Sequence, residues 1–153
     1  MKDTGAANFI MGMEIRRDCA NKTIWLNKRK YVETVLHRFN MQDSKPVKIP
    51  IPVCVKLYVE QCPKTQEEEE DMSQVPYASA VGILMYAMVC TRPDITHAVG
   101  ILSIYMSKPG KEHWTIVKRV FSYLCGTKNY AILYQRRLGL HKVILCIRIF
   151  YAN

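Results

Sequence analysis

From Ser73 to Thr91 the chain runs for 19 residues without an acidic or basic side chain. Few arrangements accept such a segment. It spans a bilayer, which takes roughly 20 predominantly apolar residues, or it is buried in a protein core. Ser73, Gln74, Pro76, Ser79, Gly82 and two tyrosines interrupt it, and only Val81 to Cys90 is strongly apolar. A buried helix over Tyr77 to Cys90, with Gly82 permitting close packing and no membrane as partner, is therefore the expectation.

The residues after it continue a helical pattern. Thr91-Arg92-Pro93-Asp94 has the composition of a helix start, with a Thr cap, a proline in the first turn and an acid where the macrodipole is positive. Ile95, Ala98, Val99, Leu102 and Met106 follow at helical spacing, so a helix is expected to about Ser107, where Pro109-Gly110 breaks it. A third helix places Trp114, Val117, Phe121 and Leu124 on one face and stops at Gly126. Tyr130 to Tyr134 and Val143 to Phe150 read as strands.

Upstream, Phe9 to Arg16 alternate: Phe9, Met11, Met13 and Ile15 share one face, Ile10, Gly12, Glu14 and Arg16 the other. A polar stretch, Arg17 to Lys22, precedes the β-favouring Thr23-Ile24-Trp25-Leu26, and together they predict a hairpin. Asn27 is a plausible N-cap for a helix whose Val32, Val35, Leu36 and Phe39 form one apolar stripe, ending at Asn40. Lys28, Arg29, Lys30 and Arg38 make the remainder of that helix basic.

Charge divides the chain. The net charge of +9 is made of +5 in residues 1–60, −4 in 61–75 and +8 in 76–153. An overall excess of this size suits a polyanionic partner. Pro46, Pro50, Pro52 and Pro63 break any long helix from Met41 to Val75, and Glu67-Glu68-Glu69-Glu70-Asp71 is a solvated run, a short exposed helix or no helix at all. Residues 41–75 are read as a Pro-rich, acidic linker. The fold class is α+β: an N-terminal β-hairpin and basic helix (1–40), that linker, a three-helix thumb-like bundle (76–127) and short C-terminal strands (128–153).

No chemistry stands out. Cysteines at 19, 54, 62, 90, 125 and 146 lack CxxC spacing, and His37, His97, His113 and His141 are scattered, which speaks against a metal site. Free, mostly buried thiols in an intracellular, reducing compartment are expected, since no signal peptide precedes them. Phosphate loops and dinucleotide fingerprints are absent. Metal-dependent phosphoryl transfer needs clustered carboxylates, and residues 76–153 hold only Asp94 and Glu112.

Longer strings carry a resemblance. Phe9-Ile10-Met11-Gly12-Met13-Glu14-Ile15 with its polar turn resembles the primer-grip hairpin of reverse transcriptases. Val75-Pro76-Tyr77-Ala78-Ser79-Ala80-Val81-Gly82, then Leu84 to Ile95 with Thr91-Arg92-Pro93-Asp94, resembles the copia-type retrotransposon Pol polyprotein of plants. Ser107-Lys108-Pro109-Gly110-Lys111-Glu112-His113-Trp114 and Tyr123-Leu124-Cys125-Gly126-Thr127 continue the pattern in order, as does the opening Met1-Lys2-Asp3 with Gly5-Ala6-Ala7. The similarity covers about residues 1–134.

The resemblance implies part of an RNA-directed DNA polymerase that binds an RNA/DNA template-primer beside the remainder of the polymerase, its palm and RNase H parts. The family's paired catalytic aspartates lie upstream of the primer grip, and its RNase H acidic motif follows the Gly-Thr. Gln135 to Asn153 holds no Asp or Glu and departs from the pattern from Leu138. Both carboxylate sets are therefore expected to be missing, so no enzyme and no bound cofactor are expected here, Mg²⁺ serving only the full-length polymerase. A non-functional structural remnant and a small basic nucleic-acid-binding module are the alternatives.

Candidate contacts are Met11, Gly12 and Met13, where the glycine admits a nucleic-acid backbone, and Lys28, Arg29 and Lys30 on the helix that follows. Core packing is the competing role for both methionines, and a solvated face for the three cations. Trp114, Tyr86 and Tyr105 are expected in the core. Ile104, Ser122 and Cys125 stand where the family usually has a basic residue; they mark either lost phosphate contacts or an indifferent solvated face.

Overall fold

The computed structural model describes residues 7–52, 55, 57–136 and 143–149. The opening string 1–6, Cys54, Leu138 to His141 and Phe150 to Asn153 lie outside them. The architecture is α+β, as the sequence predicts. Five strands, β1 (Phe9–Ile10), β2 (Met13–Asp18), β3 (Thr23–Asn27), β4 (Tyr130–Arg136) and β5 (Val143–Ile149), form one antiparallel sheet in sequential order. Among the described residues the α-helices are α1 (Arg29–Arg38), α2 (Gln66–Ser73), α3 (Tyr77–Cys90), α4 (Thr96–Ile104) and α5 (Lys111–Gly126).

The expected strand from Phe9 to Arg16 is interrupted. Ile10 pairs with Met13 and Phe9 with Glu14, so Met11 and Gly12 are a two-residue hairpin loop. Both have positive φ, 49° and 72°, as a type I′ turn requires. Directly paired residues share a face, so Ile10 joins Met13 and Phe9 joins Glu14, and the turn reverses the alternation expected of one continuous strand. The apolar Met11, standing where such turns favour Asn or Asp, conceals it. The second hairpin is as expected: β2 and β3 pair from Glu14↔Asn27 to Asp18↔Thr23, and the Asp18 carboxylate accepts from the Asn21 backbone and side chain.

Asn27 does not cap α1. It is held extended opposite Glu14, and the helix begins two residues later, with Lys28 at the cap position and no side-chain cap bond. The predicted stripe holds: Val32, Val35 and Leu36 are buried and Phe39 packs against the core. Each such burial contributes roughly 1.5–3 kcal/mol. Asn40, with φ 54°, ends the helix in the left-handed region.

α3 spans the predicted residues and buries Tyr77, Ala80, Val81, Leu84 and Ala87. No described helix is by itself long and apolar enough to cross a membrane. Thr91 caps nothing with its side chain; it is the buried residue ending α3, and Pro93–Ile95 forms a single 3-10 turn before α4. α4 stops at Ile104, short of the expected Ser107. α5 matches its predicted limits, and its Phe121 stacks on Phe39 of α1 with ring centroids 4.8 Å apart.

One core joins α1 to α3, α4 and α5, and the stretch read as a linker lies against it: Met41, Val47, Ile51, Leu57 and Val75 all pack there. Contact is close where Gly110 meets this stretch. A Cβ at Gly110 would sit 1.9 Å from the Gln61 carbonyl oxygen. Of the two readings of the acidic run, the helix is correct, started by Thr65, whose hydroxyl accepts from the Glu68 N–H.

Candidate nucleic-acid interface

The tip of the β1–β2 hairpin is the most exposed apolar feature. Met11 is 83% exposed, which excludes the core role that its alternation allowed, whereas Met13, one pair inward, is half-buried. Gly12 has open space where a Cβ would project, so the backbone there is approachable. Phe9 and Ile10 beside it are exposed too. The Lys30 ammonium stands 5.2 Å from the centre of the Phe9 ring, which brings one cation of α1 to the hairpin.

The three cations that are adjacent in sequence part ways in space. Lys30 and Arg29 are exposed, and Arg29 pairs with Glu33 one turn on, at 2.9 Å. Lys28 is only 3% exposed. Its ammonium donates to the Tyr86 hydroxyl and lies 3.9 Å from the Tyr86 ring centre and 5.3 Å from that of Tyr31. Lys28 is thus turned inward, satisfied by an aromatic pair.

Tyr86, expected in the core, is instead exposed on α3, where its ring covers Lys28. It shares that face with Ala78, Ser79, Gly82, Met85 and Val89, all exposed and none charged. A methyl group at Gly82 would meet nothing within 4 Å, so the face is open along one helical stripe. Charge-free composition reads as burial in a sequence, which conceals this surface; the spacing of the small residues Ala78, Ser79 and Gly82 is the available signal. Trp114 and Tyr105 are half-buried, Tyr105 stacking on buried His113 with centroids 4.0 Å apart.

Two of the sequence strings meet inside the protein. Arg92, 2% exposed, makes paired bonds to the Asp94 carboxylate at 3.0 and 2.6 Å. It also donates to the Thr127 carbonyl and hydroxyl at 3.1 and 2.6 Å. Burial opposes ionisation of Asp94, but the bonds and charge of Arg92, with the Tyr123 hydroxyl, hold its carboxyl below the ordinary range. Burial and Asp94 together push the Tyr123 phenol up to about 12. The cluster fixes the entry to α4 against the end of α5; it is an internal tie.

At the positions where a basic residue would have been usual, Ile104 is exposed, while Ser122 and Cys125 are half-buried and the Cys125 thiol donates to the Gln42 carbonyl. Cys19, Cys62, Cys90 and Cys125 are free, the first exposed and the other three half-buried, so the expected burial of most thiols is not met. Among the described residues no three His, Cys, Asp or Glu side chains gather into a group able to hold a metal ion.

Comparison with known proteins supplies the lineage. The chain is 54% identical over 127 residues to the retrovirus-related Pol polyprotein from transposon TNT 1-94 of Nicotiana tabacum, a match covering 83% of this chain and 10% of that protein. It is 34% identical over 143 residues to the corresponding polyprotein from transposon RE2 of Arabidopsis thaliana, covering 92% and 9%. An uncharacterized mitochondrial protein of Arabidopsis thaliana is 30% identical over 146 residues, covering 95% of this chain and 57% of that protein. No family profile and no solved structure matches. The chain is a homologue of the retrovirus-related Pol polyproteins of copia-type transposons, and it spans about a tenth of the length of the Pol polyproteins it matches.

Proposed function

We propose that the chain belongs to the reverse transcriptase part of such a polyprotein and contributes template-primer binding rather than chemistry. The observation that carries this reading is the hairpin tip: Met11 at 83% exposure beside a side-chain-free Gly12, with the Lys30 ammonium held over the adjacent Phe9. A phosphate backbone needs close approach and a cation within reach, and this corner offers both. Lys28 bridges α1 to Tyr86, so the hairpin, the start of α1 and the open stripe of α3 adjoin one another. In this reading the catalytic aspartates and their Mg²⁺ belong to the palm, and the palm and RNase H parts are the chain's partners.

Binding to a primer-template duplex, followed against salt, tests it. Affinity should come mainly from phosphate neutralisation, with a log–log slope of about −0.9 per phosphate contacted. Arg29→Ala/Lys30→Ala should flatten that slope while leaving the buried Lys28 in place. Lys45→Ala/Lys48→Ala, an equal charge change on the Pro-rich stretch, should leave it unaltered. Equal binding by parent and Arg29/Lys30 variant at every salt concentration would make the helix a solvated face and the chain a structural remnant.

A further inference from the structure

Helix α2 is held to the protein at few points. Of its eight residues only Met72 is buried. A cavity of about 410 Å³ separates it from the first turn of α5, bordered by Lys64, Glu68, Met72, Gly110 and Lys111. A second, of about 250 Å³, lies between it and the α4–α5 connection, bordered by Glu69, Met72, Lys108 and Pro109. Beyond Met72, the attachments among the described residues are two ion pairs: Lys108 Nζ to Glu69 Oε1 at 3.0 Å and Lys111 Nζ to Asp71 Oδ2 at 2.9 Å.

Both pairs are weak by their setting. All four side chains are at least half exposed, so water and salt screen them. The helix is also too short to be stable alone. Its five consecutive carboxylates repel one another, and no basic residue occupies its last turn to offset the dipole. What the pairs accomplish is to occupy two ammonium groups, Lys108 in the α4–α5 connection and Lys111 at the start of α5, with carboxylates, which is the same chemistry a phosphate would offer.

We propose that α2 is a detachable acidic strap. Glu69 and Asp71 cover Lys108 and Lys111, and a bound nucleic-acid duplex displaces them and takes both lysines. The proposal rests on the nucleic-acid reading above and adds a second contact region whose availability depends on salt and on the acidic helix.

Duplex affinity and amide hydrogen exchange on the full chain test it together. Glu69→Gln/Asp71→Asn should bind a short DNA duplex several-fold more tightly than the parent at low salt. Glu67→Gln/Glu70→Gln, the same change of charge on carboxylates with no lysine partner among the described residues, should have a clearly smaller effect. In the parent, exchange over residues 66–73 should accelerate when duplex is added. Equal affinities for the two double variants, or unaltered exchange at 66–73 with duplex bound, would overturn the strap and leave the hairpin reading standing. Failure of the parent and both variants to bind duplex would overturn both.

Discussion

The Lys28 ammonium lies 3.9 Å from the centre of the Tyr86 ring and donates to its hydroxyl, joining residues 58 positions apart in the chain. The first cation of a run that looks like a binding patch is therefore engaged inside the protein, where it ties the entry of α1 to the middle of α3.

Lys28 should accordingly matter for stability more than for binding. Lys28→Ala is expected to cost about 1–2 kcal/mol, through the lost cation–aromatic contact and the stem packed beneath it. Lys28→Met, which keeps the stem, should cost less. Urea unfolding midpoints read both. An unaltered midpoint in the alanine variant, with weakened duplex binding, would return Lys28 to the surface.

Arg92 offers a larger effect. Arg92→Met should destabilise by about 3–5 kcal/mol, because it leaves the Asp94 carboxylate unpaired in a largely buried site. Arg92→Lys should recover little, since one ammonium cannot serve Asp94 and Thr127 with the same fork of bonds. Chemical denaturation of the two variants beside the parent checks this.

Much of this fold is legible in the chain. Val32, Val35, Leu36 and Phe39 need only their spacing to declare a buried stripe, and the limits of α3 follow from where apolar residues start and charge resumes. Interactions across distance are not legible. Nothing near Lys28 announces Tyr86, and nothing in Thr91-Arg92-Pro93-Asp94 announces that Arg92 will reach Thr127; local cues read that stretch as a helix cap. The Met11-Gly12 turn is hidden by a different cause, since an apolar Met11 stands where such a turn favours Asn or Asp. The candidate site is thus half readable: Lys30 and the hairpin tip from sequence, the α3 stripe only from the structure.

Acid should destabilise the protein in two stages. His113 is buried, its Nδ1 accepting from the Gly110 N–H at 2.8 Å, and burial pushes the imidazole below its ordinary 6.5 against the pull of Glu112. The folded state then binds a proton less readily than the unfolded one. The stability that His113 contributes is complete above pH 6.5 and is lost as pH falls below it. Asp94, also lowered, adds its loss further down, as pH falls below 3.8. Melting temperature against pH should show the first decline in the parent but not in His113→Asn, whose amide oxygen can take the Gly110 N–H. A decline of the same size in that variant would assign the effect elsewhere.

Site-specific photo-crosslinking from the hairpin tip tests the central claim most directly. A photoreactive residue placed at Met11 should crosslink to a primer-template duplex, and its yield should fall with rising salt, while the same group at Cys19, exposed in the turn at the far end of β2, should give little product. Equal yields at the two positions, or none at Met11 under conditions where the duplex is bound, would contradict the assignment of the hairpin tip as a nucleic-acid contact.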